Sequence, residues 1–178
     1  MQVPVDFKIH PPFTDPRVKG LQSKAKDGDF VGGTATPPPV ASIVKGMSFS
    51  LVEVVSEEAL ARLHPYTSAF EGTKQYLGEW EGLLAVYAFF DKGDGVLRTR
   101  MFHGTLEDPA TGSAASTLAG YLAEKKGAGR WKFEIVQGVE MGRRSEIEVE
   151  VEVGEGGSVE KIFLGGGAVE VMEGWISV

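Results

Sequence analysis

EDPATGSAASTLAGYLAEKKG, Glu107 to Gly127, holds thirteen consecutive uncharged residues, Thr111 to Ala123, between an acidic loop and a Glu-Lys-Lys-Gly close. Small residues, Ala114, Ala115, Ser116, Ala119, Gly120 and Ala123, fall all round a helix built on this run, with Leu118, Tyr121 and Leu122 among them. A surface helix shows a charged stripe. This one shows none, so strands must enclose it on most sides. Lys125 and Lys126 offset the negative helix end, and Gly127 suits the left-handed cap position. At the other end, an enclosed helix leaves backbone N–H groups without acceptors and a partial positive charge. Thr111, Gly112, Ser113 and Ala114 put two hydroxyls and a glycine there, an arrangement suited to a carboxylate or a phosphate. Self-capping by Asp108, Thr111 or Ser113 is the competing reading.

The flanking sequence supplies candidate strands. Ser48–Val55, Leu83–Phe90, Val96–Phe102, Trp131–Val136, Ser145–Val153, Val159–Leu164 and Ala168–Met172 are apolar or alternating runs of strand length, with a hairpin turn at Asp91–Gly95. Glu146, Glu148, Glu150 and Glu152 alternate with Ile147, Val149, Val151 and Val153, so one face of that strand lies in water. Ser56 caps a short helix opened by Glu57 and Glu58. Gly165-Gly166-Gly167 reads as a bulge or sharp bend, since no P-loop lysine follows. Residues 1–45 are less regular: Val3 to Ile9 alternate like a strand, Thr14 is a candidate N-cap, and Gly32-Gly33 and Pro37–Pro39 suggest a turn and a linker.

Composition bounds the function. The chain has 178 residues, 42% hydrophobic and 24% charged, with a net charge of −7. That is a globular composition without a membrane-length apolar run, and its acidity argues against nucleic acid and anionic lipid as partners. The absence of cysteine excludes disulfides and thiolate chemistry, and three scattered histidines lack metal-ligand spacing, so no metal is expected. No secretory signal pattern opens the chain, which makes the cytoplasm the expected location.

Three segments carry a resemblance. Glu107-Asp108-Pro109-Ala110-Thr111-Gly112-Ser113-Ala114 resembles the signature of the phenazine biosynthesis PhzF family, in the diaminopimelate epimerase-like superfamily. Gln137-Gly138-Val139-Glu140-Met141-Gly142-Arg143 is similar to its QGxxMGR segment, and Leu164-Gly165-Gly166-Gly167-Ala168-Val169 to its closing VGGxAV segment. The likeness runs over 46–178 and implies an α+β fold. In it a curved, mostly antiparallel sheet, a half-open barrel, wraps a central buried helix to form one lobe of a two-lobed protein, with residues 1–45 as an irregular connection. It also implies a cofactor-free isomerase that moves a proton on a small, cyclic carboxylate. Asp108 matches the family's proton-relaying aspartate, and Thr111, Gly112, Ser113 and Ala114 match the groups that hold the substrate carboxylate.

The family's principal acid–base glutamate belongs to a first-lobe ExNxSET segment, and this chain contains no asparagine. The resemblance therefore implies a half-site, completed by a missing first lobe or by a second copy in a two-fold dimer. A non-catalytic small-anion-binding or interaction module derived from the family is the alternative. The discriminating feature is an acid facing Thr111–Ser113, with Glu71, Glu79 and Glu81 as loop candidates. His103 is a further candidate, and Arg143 is expected in a salt bridge.

Overall fold

A computed structural model describes residues 1–13, 15, 17–20, 22, 24–70, 73–168 and 172–175. Its strands are β1 (Gln2–Val3), β2 (Lys8–His10), β3 (Val40–Val44), β4 (Met47–Glu53), β5 (Leu83–Asp91), β6 (Val96–His103), β7 (Leu106–Asp108), β8 (Gly129–Gln137), β9 (Ser145–Val153) and β10 (Val159–Gly166). The helices are α1 (Arg17–Gly20), α2 (Glu57–Arg62), α3 (Thr73–Leu77) and α4 (Gly112–Lys126). Among the described residues the strands form one sheet in the order β1-β10-β9-β8-β6-β5-β4-β3-β2, with β7 also on β6. The fold is α+β, and the sheet is curved, unclosed and mostly antiparallel.

Two neighbouring pairs are parallel, β4 with β5 and β6 with β8. Parallel neighbours need crossover connections, and these carry the helices. The β4-to-β5 crossover contains α2 and α3; the β6-to-β8 crossover contains α4. They cover opposite faces. Phe49, Leu51, Ala85, Tyr87 and Phe89 pack with Ala114, Ala115, Leu118 and Ala119 of α4. Val52, Leu84, Val86 and Ala88, pointing the other way along the same strands, pack with Ala59, Leu60 and Leu77. Period-2 alternation between two apolar sets explains why these central strands read as continuous hydrophobic runs.

Helix α4 packs against β3, β4, β8, β9 and β10, strands from both halves of the sheet. Ala114 through Gly120 and Ala123 are all buried, which accounts for the missing charged stripe. Gly120 is required by packing: a Cβ there would stand 2.7 Å from the Phe7 ring. Gly127 ends the helix at φ +88°, its N–H donating to the carbonyls of Ala123 and Glu124. The carboxylates of β9 lie on the opposite face, where Glu150 and Glu152 pair with Arg130, Lys132 and Lys161.

The first 45 residues carry β1, β2 and β3, and all three join this sheet. Val40–Val44, which follows the three prolines, is a strand and not linker; its alternation is masked because Val40, Ala41, Ser42 and Ile43 are all buried. β1 and β2 occupy opposite ends of the strand order. Residues 4–7 bridge them, and the Asp6 N–H donates to the Ile43 carbonyl at 2.9 Å. The glycine run also differs from expectation. Gly165 and Gly166 continue β10 in register with Glu148 and Ile147, and the irregularity in that strand falls at Val159–Lys161. The expected N-cap at Thr14 lies outside the described residues, as do Val169 to Val171 of the expected last strand.

Candidate functional site

The loop before α4 is fixed by side chains that reach it from two strands, β6 and β8. Arg100 on β6 is buried and pairs with both oxygens of Glu107, Nε–Oε1 2.7 Å and Nη2–Oε2 2.8 Å. This clamps β7, and Asp108 is its last residue. From the end of β8, the fully buried Gln137 donates through Nε2 to the Asp108 carbonyl at 2.6 Å and to the Thr111 hydroxyl at 3.0 Å. Its Oε1 accepts from the Thr111 N–H at 3.3 Å and from the Tyr87 hydroxyl at 3.1 Å. Every hydrogen-bonding position of that amide facing the loop is used. Burial pushes the Tyr87 phenol well above its ordinary range, so it stays a donor.

Within this frame the Asp108 carboxylate accepts from the Thr111 hydroxyl at 2.7 Å and from the Ala110 N–H at 3.3 Å. It does not cap the helix. Thr111 is the N-cap residue, yet no side chain accepts from the first turn, and the first helical bond is Ala115 N–H to Thr111 C=O. Among the described residues, the N–H groups of Gly112, Ser113 and Ala114 therefore have no protein acceptor. Of the two sequence readings of this helix start, self-capping is the one the geometry excludes.

Two clefts meet at Gly112, separated by Leu164. One, of about 480 Å³, is lined by Ala110, Gly112, the Arg144–Ile147 segment and Leu164–Gly167. The other, of about 230 Å³, has walls from Val3, Pro4, Ile43, Val44, Met47 and Leu164, with Ser113 and Ser116 on its helix side. The Leu164 side chain fills the space a Cβ at position 112 would need, at 2.7 Å. Asp108 and Thr111 line neither cleft.

All three motif segments thus converge on one helix start. Gly138 explains the middle one: its φ is +76°, and a Cβ there would overlap the carbonyl oxygens of Arg143 and Pro109. Its backbone therefore lies directly against the loop of Asp108. The 138–143 segment is a tight turn in which the N–H groups of Met141 and Arg143 donate to the Gly138 carbonyl.

The other candidates are placed as follows. The Arg143 side chain is exposed, and the salt bridge expected there belongs to Arg144, paired with Glu146 at 3.0 Å. His103 ends β6 opposite Leu106. Glu79 and Glu81 flank the β3–β4 turn on the surface, paired with Lys45 at 3.9 Å and Lys74 at 3.3 Å; Glu71 lies outside the described residues. The acid that does line a cleft beside Gly112 is Glu146, which sequence reading assigned to a solvated sheet face. Gln137 was read only as the first residue of the second motif segment and Arg100 not at all: Gln137 ends β8, which carries three charged residues, and Arg100 shares β6 with Arg98, so neither stands out in its strand. No group of acidic or histidine side chains that could hold a metal ion occurs among the described residues.

Comparison with known proteins agrees with this convergence. A family model for phenazine biosynthesis-like proteins matches residues 6–174. The trans-2,3-dihydro-3-hydroxyanthranilate isomerase of Pseudomonas aeruginosa is 34% identical over 140 residues, covering 76% of this chain and 47% of that protein. A Mesorhizobium japonicum protein described as an uncharacterized isomerase is 32% identical over 137 residues, covering 72% of this chain and 45% of its own length. The chain spans just under half the length of these relatives. A PhzF-family structure from Bacillus anthracis superposes with a TM-score of 0.61 at 20% identity, over 92% of this chain and 55% of the other, a likeness of fold. A structure from Pseudomonas aeruginosa described as a predicted epimerase gives 0.55 at 25% identity, over 94% and 56%. With a matching family model along nearly its whole length, and with that family's three sequence segments gathered at one helix start, the chain belongs to the phenazine biosynthesis-like protein family.

Proposed function

We propose that this chain is the lobe of a PhzF-like isomerase that grips a small, cyclic carboxylate and contributes one of two acid–base groups for a cofactor-independent proton transfer. In this reading the sheet is a half-open barrel around α4. Residues 46–178 carry the motif segments of the lobe, and residues 1–45 supply three further strands of the same sheet. The carboxylate sits on the N–H groups of Gly112, Ser113 and Ala114, with Thr111 fixing the turn before them. The observation that carries the reading is the uncapped helix start: three aligned donors and the positive end of a fifteen-residue helix are left for an anion.

Asp108 is the proton-handling group. Its carboxylate is held by Thr111 and Ala110 next to the donors, so its position is set before a ligand arrives. Proton transfer across a ring needs a second group within about 2.6–3.2 Å or one water of the moving proton. That group comes from a first lobe or from a second copy of this chain.

Solvent exchange of substrate protons in deuterated water tests the reading. The 178-residue chain alone is expected to bind small carboxylates and exchange slowly or not at all. Supplying a first lobe that carries the family glutamate should restore exchange, and Asp108→Asn should then lower it by about 10²–10⁴-fold. Brisk exchange by the chain alone would overturn the half-site and direct attention to Glu146.

A further inference from the structure

Arg98 and Arg100 stand two positions apart on β6, so their side chains leave the same face of the sheet, and both are buried. Both reach α2. Arg98 Nη1 donates to Glu57 Oε2 at 2.7 Å in the first turn of that helix, while Arg100 Nη1 donates to the Leu60 and Leu63 carbonyls at its other end. Each arginine also holds a second element. Arg100 pairs with Glu107, the residue before Asp108, and Arg98 Nη2 donates to Glu140 Oε1 at 2.8 Å. Glu140 lies in the 138–143 turn, where Gly138 is pressed against the residue after Asp108: a Cβ at 138 would stand 2.7 Å from the Pro109 carbonyl oxygen. The two arginines therefore connect one helix to both flanks of Asp108.

Stability does not account for the Arg98–Glu140 pair. Arg98 Nε and Glu140 Oε2 are buried atoms, and neither has a hydrogen-bond partner among the described residues. A buried ion pair with unmet positions does no better for the fold than well-packed apolar residues of similar volume. What it fixes is geometry. β6 and β8 pair in parallel as far as Thr99 and Gln137, the chain then turns, and the Glu140 side chain ties that turn back to β6. Gln137 holds the Asp108 carbonyl from the face of Tyr87 and α4, and the Arg98–Glu140 pair backs the same loop from the face of α2. We propose that Arg98 is a positioning residue for the Asp108 loop: through Glu140 it sets the 138–143 turn, and the turn sets Pro109 and with it the direction of the Asp108 carboxylate. Its bearing on proton transfer rests on the reading of Asp108 above. Arg98 itself touches no reacting atom.

Backbone amide NMR of the full chain tests this with a double-variant cycle. Arg98→Met and Glu140→Leu should each shift the amide resonances of Asp108, Ala110 and Thr111 and speed hydrogen exchange at the Thr111 amide by about tenfold, one hydrogen bond's worth of lost support. The two substitutions together should move the loop no further than either alone, because the side chains act as one unit. Glu140→Gln keeps an acceptor for Nη2 and should return the resonances to near their wild-type positions. Glu57→Ala breaks the other arm of Arg98 and should lower the urea midpoint while leaving the loop resonances in place. Where Arg98→Met does not fold, Glu140→Leu and Glu140→Gln carry the test, since Arg98 keeps Glu57 in both. Loop resonances unmoved in Glu140→Leu, or moved as far by Glu57→Ala, would overturn the positioning role. The Asp108 reading falls on a different result, undiminished proton exchange by Asp108→Asn with the first lobe supplied, so the two can fail separately.

Discussion

The Gln137 amide donates to the main-chain carbonyl of Asp108 at 2.6 Å, joining the end of one strand to the residue that starts the site loop. The same amide serves Thr111 and Tyr87, so the loop's geometry depends on a side chain twenty-nine positions from Asp108. Gln137→Leu takes the side-chain partner from the Thr111 N–H and the Asp108 carbonyl, while the Thr111 hydroxyl keeps the Asp108 carboxylate and the Tyr87 phenol keeps Thr99 at 2.9 Å. The expected loss is about 2–4 kcal/mol, since each unsatisfied buried group costs roughly 1–3 kcal/mol. Tyr87→Phe removes a buried hydroxyl set between Thr99 and Gln137, at 2.9 and 3.1 Å, and should cost about 1–2 kcal/mol. Urea midpoints at constant slope would check both.

Gly112 and Leu164 compete for one volume. Gly112→Ala brings a Cβ to 2.7 Å from the leucine Cδ2, so Leu164 must move into one of the two clefts. Carboxylate binding should weaken at least tenfold, and Leu164→Ala in the same chain should recover most of it. A Gly112→Ala chain that binds as tightly as wild type in calorimetric titration would place the anion elsewhere.

The buried pair Arg100–Glu107 should be expensive to break and only partly replaceable. Arg100→Met strands Glu107 in the interior and is expected to cost about 3–5 kcal/mol. Adding Glu107→Leu removes the stranded charge. The double variant should still fall about 1–3 kcal/mol short of wild type, because Arg100 Nη1 also donates to the Leu60 and Leu63 carbonyls at the end of α2. Thermal and urea unfolding of the three variants would show whether the shortfall exists.

His10 predicts a pH dependence of stability. Its Nε2 is 2.7 Å from the Ser42 hydroxyl, and burial, aided by the Lys8 charge, lowers its pKa from 6.5 in the fold. The unfolded chain therefore takes up the proton first. Stability from the neutral ring is fully present above about pH 6.5 and falls as pH drops from there toward the folded-state value. His10→Gln should flatten that part of the profile while leaving the carboxylate region below pH 5 unchanged. A parallel decline in both proteins between pH 6.5 and 5 would refute the assignment.

Much of this architecture was readable because apolar spacing is a direct record of burial. Thr111–Ala123 lacks charge because strands surround it, and Ile147–Val153 alternates because one face of β9 touches α4 while the other meets water. Reading failed where burial is two-sided or elements are short. Val40–Val44 shows no alternation since both its faces are covered, and Leu106–Asp108 has only three residues to show any. The loop of Asp108 and the donors of Gly112–Ala114 were legible as motif residues. Gln137 was legible only as the first residue of its motif and Arg100 not at all, because each acts across the fold, through partners that periodicity along the chain does not encode. Gly165–Gly167 misled for a related reason: in a strand beside a cleft, glycine supplies room for a neighbour as readily as a bend.

Residues 2–3 pair with residues 162–163, so the first strand of this sheet in chain order is paired by its last. At roughly 5–20 residues per second, a ribosome takes on the order of 8–30 s to supply that partner. Throughout that interval Val3 and Pro4, which wall the small cleft, wait unpaired, and Leu164, which divides the two clefts, does not yet exist. The helix of Gly112 is made well before the strand that closes over its start. On the proposed reading, ligand competence comes late in synthesis, and a ribosome-stalled chain ending before Phe163 should bind carboxylates more weakly than the full chain.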